Sequence, residues 1–262
     1  MSLFAHWMLQ RRAPLLHVAG DRGTGPPVIL VHGIASSSVT FEFVVPLIAD
    51  DHRVISIDLL GFGGSPAPAD AQYTIEEHVA SLDRTIRELQ LDEPFVLVGH
   101  SLGCLIAARY AATRKRNVSR LVLVAPPIYL TPDAVPDPLE RAAMGGYMRA
   151  YEFLRTNKQF TMRAAAALGR LTPIKNVLEV TEQNWTAFVR SLEHVIESQT
   201  AVADIAAVDA PIHIVYGTLD PFLTPAGLRI VEQMRHVETH RVDAVDHVIR
   251  KRMARVVATA IG

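Results

Sequence analysis

The chain has 262 residues, 49% of them hydrophobic and 20% charged, an ordinary globular composition in a length that one α/β domain reaches without splitting. Its 26 basic and 27 acidic side chains leave a formal net charge of -1, which excludes the extended positive field that gathers nucleic acid or anionic lipid. A single cysteine, Cys104, excludes an intrachain disulfide framework.

Met1 to Gln10 lacks a basic start followed by a long apolar stretch, and no segment approaches the ~20 apolar residues of a spanning helix, so a cytoplasmic location without a membrane partner is expected. Short β-branched runs then alternate with helical patterns. The runs are Val28 to Val31, Val54 to Ile57, Phe95 to Val98, Leu121 to Val124 and Ile212 to Tyr216. Most are apolar throughout, as strands covered on both faces are, and the alternation predicts a mostly parallel sheet with crossover helices on both faces. Between the second and third runs, Ile75, Val79, Leu82, Ile86 and Leu89 recur at helical spacing behind a Thr74/Glu77 capping pattern. The stretch from His236 to His240 reads as a last strand. Thr224-Pro225 reads as a helix start, and Ile249, Met253, Val256, Val257 and Ala260 as a one-sided terminal helix. The basic clusters Arg114-Lys115-Arg116 and Arg250-Lys251-Arg252 accompany helical segments and read as solvated faces.

The strand rhythm stops between Ile128 and Ala210, a span far beyond the ~15 residues of a plain connection. Helical patterns occupy Arg141 to Leu154, Gln159 to Leu168 and Thr181 to Gln199. The expected organisation is a core of residues 1–127 and 211–262 with a helical lid, residues 128–210, inserted into it.

One string carries chemistry. Gly99-His100-Ser101-Leu102-Gly103 fits Gly-x-Ser-x-Gly, which chance supplies in a chain of this length on the order of one time in ten. Its position adds what the letters lack: it closes the run Phe95 to Val98 and opens the helical stretch Leu105 to Ala112, the strand-turn-helix setting of a nucleophile elbow. Glycine at both flanks leaves room for strand and helix to pack while the Ser101 hydroxyl is held outward. A helix start behind it adds positive potential where an oxyanion would develop.

With these residues in place the chain resembles the α/β-hydrolase family over nearly its whole length. Val31-His32-Gly33-Ile34 is similar to the family's His-Gly loop, and the resemblance assigns the backbone N–H groups of Ile34 and Leu102 to an oxyanion hole. Asp58-Leu59-Leu60-Gly61-Phe62-Gly63-Gly64-Ser65 resembles a structural loop of the same fold, and His32 and His100 read as packing residues. A serine hydroxyl needs a base, and the base a carboxylate, in the family's chain order Ser, acid, His. Asp220 in Gly217-Thr218-Leu219-Asp220 resembles the acid, with Asp133 as an alternative. His247 resembles the base, with His240 as a substitute; Asp246 departs from the glycine that relatives often place before this histidine. His236 and His240 have a metal-like spacing only if helical, and no third ligand is evident, so no metal and no cofactor are expected.

The resemblance implies a carboxylesterase-type serine hydrolase using Ser101, His247 and Asp220 on small to medium hydrophobic esters. Met144, Tyr147, Met148, Tyr151, Trp185 and Phe188 give the inserted segment an apolar set, of which Trp185, Tyr147 and Met148 are the candidate substrate contacts, and packing is their equal alternative. Other readings are a carbon–carbon bond hydrolase of ring-fission products, with Arg190 gripping a carboxylate; cofactor-free haloperoxidase or perhydrolase chemistry; and a ligand receptor on the same fold.

Overall fold

The structure, a computed structural model, describes residues 13–114, 117–131, 134–172, 174 and 177–262. Met1 to Gln10, Lys115 and Arg116 of the first basic cluster, Pro132 and the alternative acid Asp133 lie outside the described residues.

The five apolar runs form β2 (Pro27–Val31), β3 (Arg53–Ile57), β4 (Phe95–His100), β5 (Val118–Val124) and β6 (Ile212–Gly217). With β1 (Val18–Arg22) and β7 (Val237–Val242) they make a seven-stranded sheet in the order β1-β3-β2-β4-β5-β6-β7. All neighbours pair in parallel except β1, which runs antiparallel to β3. β1 gives no sequence signal because Val18-Ala19-Gly20-Asp21-Arg22 is half-buried to exposed along its length. Its ladder with β3 and an ion pair from Arg53 to Asp21 at 2.7 Å place it at the sheet edge.

Alternation along the strands feeds two cores, one on each face. Ile29, Ile55, Leu97, Leu121 and Ile214 join one of them with Val79, Leu82 and Ile86 of α2 (Ile75–Glu88) and Leu105 and Ile106 of α3 (Leu102–Thr113). Val28, Leu30, Val54, Val98, Val122 and Val215 join the other with Phe41, Ile48 of α1 (Val45–Ile48) and the terminal helix (Lys251–Ile261), whose Met253 and Val257 are fully buried. The outward side of that helix carries exposed Lys251, Arg252 and Arg255. At the start of α2, Thr74 Oγ1 accepts the Glu77 N–H at 3.3 Å and Glu77 Oε2 accepts the Thr74 N–H at 3.4 Å, closing the capping box.

Between β5 and β6 the chain forms α4 (Pro138–Thr156), α5 (Lys158–Leu171), α6 (Trp185–Ser191), a π-helical turn (Leu192–Ile196) and α7 (Ala201–Ala207). Asp137 Oδ1 caps α4 by accepting the Leu139 and Glu140 N–H groups. The long helical pattern from Thr181 to Gln199 is divided, and α7 lies beyond it. Met144, Tyr151, Phe188, Leu192 and Ile205 belong to the same core as α2 and α3, so this segment is packed onto the sheet's helical layer. After β6 come α8 (Pro225–Val231), which starts at Thr224-Pro225, then β7 and the terminal helix, α9.

Candidate active site

β4 delivers the chain to Ser101, which has φ 52° and ψ -120° and immediately precedes α3. A non-glycine residue in this region is uncommon and strained, and the surrounding contacts hold it there. Ser101 N–H donates to the Val124 carbonyl at 3.0 Å, and the Ser101 carbonyl accepts the Cys104 N–H at 2.9 Å. Both flanking glycines are required by backbone approach: a Cβ on Gly99 would lie 2.5 Å from the Gly103 carbonyl oxygen, and one on Gly103 would lie 2.4 Å from that of Val31. The tight turn therefore packs strand against helix with Ser101 at its tip.

The His32-Gly33-Ile34 loop lies directly alongside, since a Cβ on Gly33 would come within 2.9 Å of the Ser101 Cβ. Leu102 is the first residue of α3, where N–H groups have no partner within the helix. His32 is wholly enclosed; its Nδ1 donates to the Gly33 carbonyl at 2.7 Å and its Nε2 accepts the Leu59 N–H at 2.9 Å. Burial lowers its pKa, so the neutral ring serves as a fixed spacer under the loop. Asp58 ties the neighbouring loop together by accepting N–H groups from Ser38 and Gly64, both at 2.8 Å, and the His17 ring at 3.0 Å. Burial would raise the Asp58 carboxyl, but these donors outweigh it and hold the group below the usual carboxylate range.

Asp220 and His247 follow β6 and β7, and the two loops are knitted to one another. Thr218 N–H donates to Val242 O at 3.1 Å, Leu219 N–H to Val245 O at 2.9 Å, and Ala244 N–H to Thr218 Oγ1 at 2.9 Å. The result is a hydrogen bond of 2.8 Å from His247 Nδ1 to Asp220 Oδ2, with the carboxylate side chain 1% exposed and the imidazole 19%. Two contacts missed by sequence reasoning steady this pair. Phe222 N–H donates to Asp220 Oδ1 at 2.8 Å, and the Phe222 ring meets His247 edge-on at 4.8 Å. On the other side His100 packs its ring 4.9 Å from that of His247 and donates Nε2–H to the His247 carbonyl at 3.0 Å. Burial and the neighbouring His247 push the His100 pKa down to about 3. Among the described residues no hydrogen bond joins the Ser101 hydroxyl to His247, a contact that is often loose before substrate binds.

Other sequence candidates fall elsewhere. His240 faces His213 on β6, its Nε2 2.8 Å from His213 Nδ1, and His236 binds the Ile205 carbonyl. Tyr147, Met148 and Trp185 are partly buried against the main core; Tyr147 stacks on Tyr129 at 5.8 Å, and Trp185 packs on Phe188 at 5.7 Å. Tyr129 and Tyr151 share a 2.6 Å hydrogen bond between their hydroxyls. Arg190 donates to the Ala71 carbonyl. Cys104 is buried beneath the elbow with Sγ bonded to the Gly99 and Val124 carbonyls, and burial pushes its thiol pKa well up, away from a reactive thiolate.

A family model described as alpha/beta hydrolase fold matches residues 26–249. The chain is 44% identical over 108 residues to a probable lysophospholipase, BODYGUARD 4, of Arabidopsis thaliana, a match spanning 39% of this chain and 25% of that protein. The chain thus spans about a quarter of the length of that relative. A pimeloyl-[acyl-carrier protein] methyl ester esterase of Aeromonas hydrophila is 27% identical over 225 residues, covering 80% of this chain and 84% of that protein. Among solved structures, an esterase from Exiguobacterium antarcticum superposes with a TM-score of 0.76 at 17% identity, covering 95% of this chain and 99% of that chain, a likeness of fold. With the family match running from β2 through the His247 loop, the chain belongs to the alpha/beta hydrolase fold family.

Proposed function

We propose that the protein is a serine esterase that cleaves carboxylic esters of small to medium hydrophobic substrates through an acyl-enzyme. The observation that carries the reading is the 2.8 Å His247–Asp220 hydrogen bond, formed beyond the carboxyl ends of β6 and β7 as the strained Ser101 turn lies beyond that of β4. The Aeromonas hydrophila relative, named as a methyl ester esterase and covered over most of its length, supports ester chemistry.

In the proposed cycle, Ser101 Oγ attacks the ester carbonyl carbon while its proton passes to His247 Nε2. Asp220 accepts the His247 Nδ1–H, fixing the tautomer that leaves Nε2 as the base and stabilising the imidazolium. The carbonyl oxygen, now anionic, receives the N–H groups of Ile34 and Leu102. Collapse breaks the bond to the alkoxy oxygen, which takes the proton from His247 and leaves as the alcohol. Water then loses a proton to His247 and attacks the Ser101 ester, and the tetrahedral adduct collapses to the free acid and the Ser101 hydroxyl. The segment over residues 128–210 acts as a lid, with Tyr147, Met148 and Trp185 as its substrate-facing apolar residues. The Arg190 bond to Ala71 weighs against a carboxylate clamp and hence against the carbon–carbon reading.

A fluorophosphonate probe followed by peptide mapping tests the nucleophile: the expected adduct is on Ser101, and folded protein that stays unlabelled there sinks the proposal. A series of nitrophenyl esters tests the substrate class, with turnover expected to rise with acyl length up to a medium chain. No ester turnover together with cleavage of a vinylogous diketone would transfer the site to carbon–carbon chemistry.

A further inference from the structure

The register between β6 and β7 sets His213 opposite Glu238 and Val215 opposite His240, so three ligating side chains share one patch of the sheet. Because residues two apart on a strand point to the same face, Glu238 and His240 lie side by side facing His213. His213 Nδ1 is 2.8 Å from His240 Nε2, and the two rings stack at 5.1 Å with an interplanar angle of 12°. Glu238 approaches both, with Oε2 3.9 Å from His213 Nδ1 and Oε1 3.7 Å from His240 Nε2. One ligand atom from each residue falls within 4.8 Å of the others.

We propose that His213, His240 and Glu238 form a site for a divalent transition-metal ion that clips β6 to β7. Two imidazole nitrogens and one carboxylate oxygen are a ligand set that suits ions such as Zn2+, whose bonds to nitrogen and oxygen are about 2.0–2.2 Å. A centre at those distances needs the two nitrogens slightly further apart and the carboxylate drawn inward. The side chains permit it: Glu238 is 66% exposed and free to swing, whereas His213 and His240, at 16% and 22%, are held by the sheet yet reachable from solvent. Without metal, one ring donates to the other across the 2.8 Å contact, and ligation by both nitrogens requires that proton to move to the other nitrogen of its ring.

Arg120 is the opposing charge in the neighbourhood, since its field acts on His213. Its Nη1 is directed at the carbonyls of Ala260 and Ile261, at 3.2 and 2.6 Å, where the C-terminal end of α9 offsets it. The ion's effect would be mechanical, because β6 and β7 run directly into the loops that hold Asp220 and His247.

The test uses tag-free full-length protein stripped with EDTA and titrated with Zn2+ by calorimetry, alongside thermal melts. One ion per chain is expected, with a rise in Tm of roughly 5 °C when free Zn2+ stands about 100-fold above its Kd. Glu238→Gln and His240→Ala should each weaken binding roughly tenfold or more. His236→Ala and His247→Ala should leave it unchanged, the first because its ring is held by the Ile205 carbonyl and the second because its ring is held by Asp220. Absence of saturable binding overturns the proposal, as does wild-type affinity in Glu238→Gln and His240→Ala. Should His240→Ala fail to fold, the exposed Glu238→Gln decides alone.

Discussion

Asp246 stands where relatives of this fold often carry glycine, and the backbone explains how a side chain is accommodated. The left-handed residue of this loop is Ala244, with φ 56°, while Asp246 is not among the non-glycine residues in that region. Its carboxylate instead accepts the Val248 N–H at 3.2 Å and pairs with Arg250 at 2.8 Å, so the side chain braces the turn that a glycine would leave loose. Asp246→Ala should therefore lower kcat modestly, by roughly threefold to tenfold, with KM nearly unchanged, because the proposed base, His247, is less firmly held. Steady-state kinetics on a nitrophenyl ester check this. His247→Ala should remove roughly 10^4-fold in kcat, whereas His240→Ala should retain most of it, since only His247 lies against Asp220. Ser101 and Asp220 stand out in the chain as candidates because each follows an apolar run, and His247 because it follows a predicted last strand and precedes the terminal helix. Phe222 and His100 were not readable as supports of His247, because their contacts depend on how two loops and the elbow meet in space.

At the scale of elements, the buried strands were legible as continuous apolar runs, and α2 as a periodic pattern with its cap. β1 gives no such run because an edge strand that is only half-buried does not need one. The helical stretch from Thr181 to Gln199 was read as one piece, yet the helix passes into a π-helical turn at Leu192. Helical periodicity survives such a local change of winding, so spacing alone does not reveal it. The His213, Glu238 and His240 cluster was invisible for a different reason: His213 belongs to another strand, and only the β6–β7 register brings it across. The elbow offers the sharpest element-level test. Gly103→Ala forces a Cβ against the backbone oxygens of Val31 and His32, so it should cost about 2 kcal/mol or more and abolish activity. Denaturant unfolding beside an activity assay reads both. Thr74→Ala removes only one partner of a capping box and should cost about 1 kcal/mol with activity intact.

For the molecule as a whole, three enclosed imidazoles tie stability to acidity. His78 and His100 have pKa values pushed down to about 3, each first by burial, and His32 is lowered in the same direction. In the unfolded chain these rings bind a proton below about pH 6.5, while in the folded protein His78 and His100 do so only near pH 3. Their full contribution is thus present above pH 6.5 and is lost as the pH falls. His78 and His100 should each steepen the decline by about 1.4 kcal/mol per pH unit between about pH 6.5 and about 3. His78→Asn, which removes a ring bonded to Ser191 at 3.1 Å, should flatten that slope by the same amount in urea titrations between pH 6 and 4, even where the variant is less stable overall.

The sheet order also ranks the parts of the site by how easily each can be lost. Ser101 follows β4, which has β2 and β5 on its two sides, whereas His247 follows β7, which is paired with β6 alone. Border strands are released in local openings well below the global unfolding free energy. Warming should therefore silence the enzyme while its central strands are intact, with inactivation several degrees below the melting of far-ultraviolet circular dichroism. Amide exchange should be faster along Val237–Val242 than along Phe95–His100. Failure in this protein would then begin as the proposed base drifting out of reach, reversibly and with the proposed nucleophile still in place, before any loss of the fold.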